Sequence, residues 1–359
     1  MKVALVHDHL AQDGGAERVL KVLQDMFPQA PTFTLVYDEN GAHDMFRGKD
    51  IRTSFIQKLP FGVRKYQWYL PFMPLATESY DLSSYDVVIS SSSAFAKGVI
   101  TAPNALHICY CHTPTRYLWT DTHSYVQSLK LPRVVKWAIP FVLNRMRTWD
   151  RMAADRVDTF VANSQTVKDR IKKYYRRDSE IIYPPVELKT FTPKQKAGGS
   201  YFLAGGRLVS YKRFDLIVQA FNRLGIPLKI FGTGPEEQTL KAMAKKHIEF
   251  VGYVTEEQQA ELYRGARAFI NPQVEDFGIT PIESMACGTP VLAFAQGGAL
   301  ETVVEGVTGQ FFHDQRWEDI ADMVIRFDDS KFDPQRIHQH AQRFDVNTFK
   351  QRLTKLLPA

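Results

Sequence analysis

The chain has 359 residues, with 45 Lys and Arg against 39 Asp and Glu, a net charge of +6. At about 150 residues per domain this predicts two domains, and 44% hydrophobic with 23% charged residues excludes a disordered chain. Three cysteines exclude a disulfide scaffold or a four-cysteine zinc site and suit a reducing compartment, while the basic balance admits nucleic acid, a membrane surface or phosphate-bearing small molecules as partners.

In chain order, Val3–His7 predicts a strand, and Ala16, Val19, Leu20, Leu23 and Phe27 then fall on one helical face. The N-terminus lacks the long apolar stretch and cleavage site of a signal peptide. Further strands are predicted over residues 32–37, 86–90, 106–111, 159–162 and 180–183. The apolar run 134–143 contains Lys136 and Pro140 and falls short of the ~18 residues of a membrane span. A cytoplasmic location is therefore expected, with the inner membrane approached from that side. Residues 184–200 hold three prolines and two glycines and read as a linker. Strands are again predicted over 201–204, 227–231, 248–251, 268–271 and 290–294, with helices over 214–224, 236–246 and 346–357.

Strands alternating with amphipathic helices imply parallel sheets covered on both faces. The expected architecture is two Rossmann-like α/β domains facing each other across a cleft, with ligands at the carboxyl ends of the strands. The expected limits are 1–187 for the first domain, 188–335 for the second, and a C-terminal helical segment, 336–359, packing back on the first.

Three loops stand out. Asp13-Gly14-Gly15-Ala16-Glu17-Arg18 follows the first strand and opens a helix, where glycines permit close approach and free N–H groups suit an anion or a sugar hydroxyl. A tight strand-to-helix turn is the plain alternative, and the pattern is neither Gly-x-Gly-x-x-Gly nor a P-loop. Gly205-Gly206-Arg207-Leu208-Val209-Ser210-Tyr211-Lys212 ends the second domain's first strand. There a forked guanidinium and a compact ammonium together suit a diphosphate. Glu275-Asp276-Phe277-Gly278-Ile279-Thr280-Pro281-Ile282-Glu283 carries two carboxylates eight positions apart. Thr280 as N-cap, Pro281 at N1 and Glu283 at N3 read as a capping box, with Gly288 closing that helix.

With these residues in place the chain resembles the retaining glycosyltransferases of family 4, which have the GT-B fold. The resemblance covers nearly the whole chain. It rests on the Gly14-Gly15 loop, on Gly206-Arg207-Leu208 with Lys212, on Glu275 and Glu283, and on the turn Gly297-Gly298-Ala299-Leu300-Glu301. Within the family it is similar to the WbaZ-like mannosyltransferases through His7-Asp8-His9, Ser90-Ser91-Ser92 and His112-Thr113-Pro114-Thr115-Arg116-Tyr117-Leu118-Trp119.

The resemblance implies transfer of a sugar, mannose from GDP-mannose, from a nucleotide sugar to an acceptor hydroxyl. Other nucleotide sugars remain open. The implied acceptor is a lipid-linked saccharide in cell-surface polysaccharide synthesis. Arg207 and Lys212 are implied to neutralise the leaving diphosphate, Glu275 to face donor-sugar hydroxyls and Glu283 the ribose. Gly14 and Gly15 would approach the donor phosphate or sugar, and His112 would lie near the transferred sugar. The donor site would also include Phe277, Gly278, Ile279 and Thr280. The backbone near Gly252, Tyr253 and Val254 is the expected place for the base. The two carboxylates are not read as a glycosidase pair.

No cofactor and no metal are expected. His7 and His9 alternate without a supporting cysteine or second histidine pair, and no Asp-x-Asp occurs. Cys109 and Cys111 read as packing residues. Residues 125–177 hold thirteen Lys or Arg against four Asp, interleaved with Trp137, Phe141, Leu143 and Trp149. Residues 58–73 mix Arg64 and Lys65 with Phe61, Tyr66, Trp68, Tyr69, Leu70 and Phe72. Both stretches suit an anionic membrane surface, or else helix faces packed on a core. A non-enzymatic basic protein binding membrane or nucleic acid accounts for the charge but not for the glycine loops or the acidic element. No nucleic-acid-binding signature is present. A sugar-nucleotide epimerase or a phosphorylase of the same fold is the remaining alternative.

Overall fold

A computed structural model describes residues 1–358 apart from 12–13, 40, 42–43, 123–125, 127–132 and 194–198. Asp13, the start of the basic stretch and part of the 184–200 linker lie outside the described residues. The chain divides into two compact units, Met1–Tyr183 with Lys350–Ala359, and Pro184–Phe349.

The first unit is built on a parallel sheet of β1 (Val3–His7), β2 (Thr32–Thr34), β3 (Ile51–Thr53), β4 (Val87–Ser92), β5 (Leu106–Cys111), β6 (Thr159–Ala162) and β7 (Ser179–Ile181). Its order is β3-β2-β1-β4-β5-β6-β7. All six residues of β4 are buried, as expected for a strand covered on both faces by crossover helices. The second unit holds β8 (Tyr201–Gly205), β9 (Leu228–Phe231), β10 (Ile248–Gly252), β11 (Ala266–Asn271), β12 (Val291–Phe294) and β13 (Gly309–Phe312) in the order β10-β9-β8-β11-β12-β13. In each sheet the chain runs outward to one edge and then returns to the other side of its first strand. This reversal lies between β1 and β4 in the first unit and between β8 and β11 in the second. Ligands bind outside such switch points in open α/β sheets.

The helices that matter for function are α1 (Gly15–Met26), α2 (Arg133–Asp155), α3 (Phe214–Leu224), α4 (Ile279–Ala286) and α5 (Pro334–Ala341). The apolar face foreseen for α1 is buried at Val19, Leu20 and Leu23. In the second unit α5 lies against α4, with His338 Nδ1 2.6 Å from the Ala286 carbonyl oxygen.

Several expected elements change. The strand expected over 32–37 stops at Thr34, and the helix expected over 236–246 is confined to Glu237–Met243. The C-terminal helix spans Val346–Thr354. Two edge strands, β3 and β13, had no sequence signal. The basic stretch contains the 23-residue helix α2, with Pro140 inside it. Leu143 and Met146 of α2 are buried in a core cluster, whereas Trp137 is 73% exposed and Phe141 66% exposed. Cys109 and Cys111 are free, buried and packed in one cluster, which agrees with a packing role. Among the described residues no helix is long and apolar enough to cross a membrane.

Candidate functional site

In the second unit the loops after β8 and β11 flank the switch point. After β8 the chain makes a short 3-10 turn at Ser210–Lys212 and enters α3 at Phe214. Lys212 Nζ lies 2.8 Å from Glu275 Oε1, with side chains 12% and 20% exposed. This is not the solvated basic loop that an isolated lysine would form. Burial pulls the Lys212 ammonium down, but the adjacent Glu275 carboxylate more than offsets it, and Lys212 is held above its ordinary value. Arg207, in the same loop, is exposed.

The helix after Glu275 starts differently from the capping box read in the sequence. Gly278, at φ +92°, is the N-cap, α4 begins at Ile279, and no side chain caps it. A positive φ of this size disfavours an L side chain. Thr280 is therefore the second helical residue, not the cap, and its buried Oγ1 has no hydrogen-bond partner. Glu283 cannot reach back to a cap three residues earlier. It is 1% exposed, and its Oε2 accepts from Gln259 Nε2 at 2.7 Å and from the Tyr263 hydroxyl at 3.4 Å. Gly288, at φ +77°, does follow the last turn. The N-terminus of α4 thus has no capping side chain at Gly278, and among the described residues the Thr280 hydroxyl has no hydrogen-bond partner. Such an end favours anions. A Cβ on Gly278 would lie 3.2 Å from Glu275 Oε2, so lysine, carboxylate and helix end are gathered in one place.

The Gly297-Gly298 turn fixes this loop. Gly298 N donates to the Glu275 carbonyl oxygen at 2.9 Å. A Cβ on Gly298 would stand 2.4 Å from the Phe277 carbonyl oxygen, too close for any other residue. Phe277 itself is buried and packs its ring 5.6 Å from that of Phe344. Tyr253 and Val254 follow β10. Tyr253 is 81% exposed, and the Gly252 carbonyl accepts from Gly232 N at 2.7 Å.

In the first unit the switch point carries the other predicted residues. Gly14 caps α1 in an extended conformation without a side-chain bond, and Gly15 is the first helical residue. The Glu17 carboxylate curls back to this end, so that a Cβ on Gly14 would meet Glu17 Oε2 at 2.9 Å. Negative charge already sits there, and a neutral hydroxyl suits the place better than a phosphate. His112 follows β5. Its Nε2 lies 2.8 Å from Ser91 Oγ, which lies 3.1 Å from His7 Nδ1. Burial and the nearby His7 pull His112 down to about 4, although Asp8 and Glu17 act in the opposite sense. His112 is therefore neutral at physiological pH.

Three supporting residues went unassigned in the sequence. Both Asp8 oxygens accept from backbone N–H groups, those of Phe95 and Ala96 at 2.7 Å and those of Ser93 and Ala94 at 2.5 and 2.9 Å. Burial alone would push Asp8 up, but His7 and these donors leave it below its usual range. Asp150 on α2 accepts from Thr115 Oγ1 and Trp119 Nε1 at 2.7 Å, from the Tyr175 hydroxyl at 2.9 Å and from Lys97 Nζ at 2.5 Å. It thereby holds both ends of the Thr115–Trp119 segment. Glu17 was part of a quoted motif, but its partner His7 is ten residues away. Asp150 had no signal beyond being an acidic residue in a basic stretch. Among the described residues no cluster of His, Cys, Asp and Glu is arranged to hold a metal ion.

Comparison with known proteins places both units among glycosyltransferases. Residues 13–190 match the family model Glycosyltransferase Family 4, and residues 188–344 match Glycosyl transferases group 1. A D-inositol 3-phosphate glycosyltransferase of Mycobacteroides abscessus is 32% identical over 200 residues, 49% of this chain and 45% of that protein. The mannosylfructose-phosphate synthase of Agrobacterium fabrum is 28% identical over 239 residues, 56% of this chain and 52% of that protein. The chain spans about half the length of these curated relatives. The crystal structure of Anabaena HepE in complex with UDP-glucose matches with a TM-score of 0.71 at 17% identity, covering 99% of both chains. The two parallel-sheet units thus have the GT-B fold expected from the sequence.

Proposed function

For a chain of the GT-B, group 1 and family 4 glycosyltransferase type, we propose transfer of a sugar from a nucleoside diphosphate sugar to an acceptor hydroxyl, with retention of anomeric configuration and without a metal. The observation that carries this reading is the Lys212–Glu275 pair beside the uncapped N-terminus of α4, at the switch point of the second sheet.

Each residue then has a physical task. Lys212 and Arg207 neutralise the diphosphate as charge develops on it, and the backbone donors at Ile279 and Thr280 add the positive end of a helix dipole. Glu275 is held by Lys212 through Oε1, which leaves Oε2 to accept from sugar hydroxyls. Glu283 is the candidate for the ribose, with Gln259 and Tyr263 fixing its orientation. Gly252, Tyr253 and Val254 offer backbone groups to the base. In the first unit the family resemblance supports His112 and the Gly14–Gly15 end of α1 as partners for hydroxyls of the transferred sugar. A glycosidase-type double displacement is not part of this reading.

The donor we favour is GDP-mannose. The resemblance to mannosyltransferases and the mannosyl product in the name of the Agrobacterium relative support it, while UDP-glucose bound to HepE makes UDP-sugars the second choice. Purified protein incubated with GDP-mannose, UDP-glucose, UDP-galactose and UDP-N-acetylglucosamine is expected to release nucleoside diphosphate, fastest from GDP-mannose. Release from none of them would overturn the reading. The acceptor we favour is a lipid-linked saccharide. The exposed Trp68, Trp137 and Phe141, together with Lys65 stacked over Trp68, support an anionic membrane surface beside it. Pelleting with phosphatidylglycerol vesicles at low salt is expected, and protein left entirely in the supernatant would contradict this.

A further inference from the structure

The first unit contains a polar chain that the transfer reaction does not by itself explain. It runs from His112 Nε2 to Ser91 Oγ at 2.8 Å, from Ser91 Oγ to His7 Nδ1 at 3.1 Å, and from His7 Nε2 to Glu17 Oε1 at 3.8 Å. Four elements contribute to it: β1, α1, β4 and the segment after β5. Ser91 is fully buried, and His7 and Glu17 are each 3% exposed. Among the described residues no group hydrogen-bonds His112 Nδ1, the ring nitrogen at the open end of the chain. We propose that Glu17, acting through His7 and Ser91, fixes His112 as the Nε2–H tautomer, so that Nδ1 presents a lone pair to a hydroxyl of the transferred sugar. This rests on the glycosyltransferase reading only for the identity of the hydroxyl.

The direction follows from counting donors and acceptors. An ionised carboxylate only accepts. Burial alone would push Glu17 up, but its interaction with His7 more than offsets this and keeps it below its ordinary value. At 3.8 Å this is an electrostatic contact and not a hydrogen bond, and the carboxylate favours a proton over a lone pair on the His7 nitrogen that faces it, Nε2. In a neutral imidazole the other nitrogen then accepts, and Ser91 has a single O–H to give it. Ser91 Oγ in turn accepts from His112 Nε2–H. Every donor thus points towards Glu17, and the lone pair emerges at His112 Nδ1. The opposite polarity requires a neutral His7 whose bare Nε2 sets a lone pair against the Glu17 carboxylate, which is repulsive, or a cationic His7 that donates from both nitrogens. Such a cation facing a buried carboxylate would close to the 2.7–2.9 Å of a charge-assisted hydrogen bond. The observed separation is 3.8 Å. Glu17, His7 and Ser91 are accordingly positioning residues, and only His112 touches the sugar.

The test is nitrogen-15 NMR of the histidine side chains in the full chain, with His112 assigned by its loss in His112→Gln. The expected spectrum has His112 protonated at Nε2 and bare at Nδ1. In Ser91→Ala, and independently in Glu17→Gln, this preference is expected to be lost. In parallel, kcat for donor turnover falls about tenfold or more while the donor KM stays within about twofold. A wild-type His112 protonated at Nδ1 would overturn the proposal, as would an unchanged tautomer and kcat in folded Ser91→Ala. The wild-type spectrum decides the tautomer even if a variant fails to fold. Wild-type protein that turns over no donor would sink the glycosyltransferase reading separately, with the tautomer still decided by the spectrum.

Discussion

Lys212 and Glu275 hold each other in the free protein, and a diphosphate beside α4 would take over part of the lysine's charge. In the proposed reading that exchange would tie diphosphate release to the freedom of the Glu275 carboxylate. His107 and His112 show the opposite electrostatic situation, because burial lowers both to about 4. In the unfolded chain each titrates near its ordinary 6.5, so between about pH 6.5 and 4 the unfolded state binds more protons. Stability is therefore expected to be flat above pH 7 and to fall as the pH drops through this window, by up to about 1.4 kcal/mol per pH unit for each group. Urea unfolding at pH 7.5, 6 and 5 measures this, and an unchanged midpoint would contradict it. Lys212 and Glu275 were legible in the sequence because each follows a strand and precedes a helix. The partnership of Glu17 with His7 was not, because it is made through space across two elements. The Thr280–Glu283 capping box was misread because its spacing is correct. The positive φ of Gly278, invisible in one sequence, starts the helix earlier.

At the scale of elements, α2 performs two tasks on opposite faces. Its outer face exposes Trp137 and Phe141, and its inner face carries Asp150. Asp150 joins α2 to the segment after β5, to Tyr175 and to Lys97, whose Nζ also donates to the Ala94 carbonyl. Lys97 is 1% exposed, so removing its partner strands a buried ammonium. Asp150→Ala is expected to destabilise the first unit by about 3–5 kcal/mol, read from the denaturation midpoint. A loss under about 1 kcal/mol would show that the ion pair is replaceable. The sequence left α2 between a membrane-facing stretch and a helix packed on a core, because Pro140 and clustered aromatics interrupt its pattern. It concealed β3 and β13 because edge strands of three and four residues resemble loops. The central strands were readable to within a few residues, since burial on both faces demands continuous apolar runs.

At the scale of the whole molecule, each unit has its own parallel sheet and places its polar groups at its own switch point. The first unit gathers His112, Ser91, His7 and the Gly14–Gly15 end of α1 at its switch point. The second gathers the cations and the open helix end. This division of chemistry sharpens the charge argument: in the proposed reading Arg207 and Lys212 are the part of the basic balance that meets a diphosphate, and most of the remainder lies in the first unit. The two-unit pattern was legible because strand-helix alternation stops at the proline-rich linker and then restarts. The most direct test is isothermal titration of GDP and UDP into the full chain and into Lys212→Gln. One nucleoside diphosphate is expected to bind with one-to-one stoichiometry, and the variant to bind it at least about tenfold more weakly, ~1.4 kcal/mol. Binding of neither nucleotide, or equal binding by the variant, would contradict a diphosphate site at Lys212 and the N-terminus of α4.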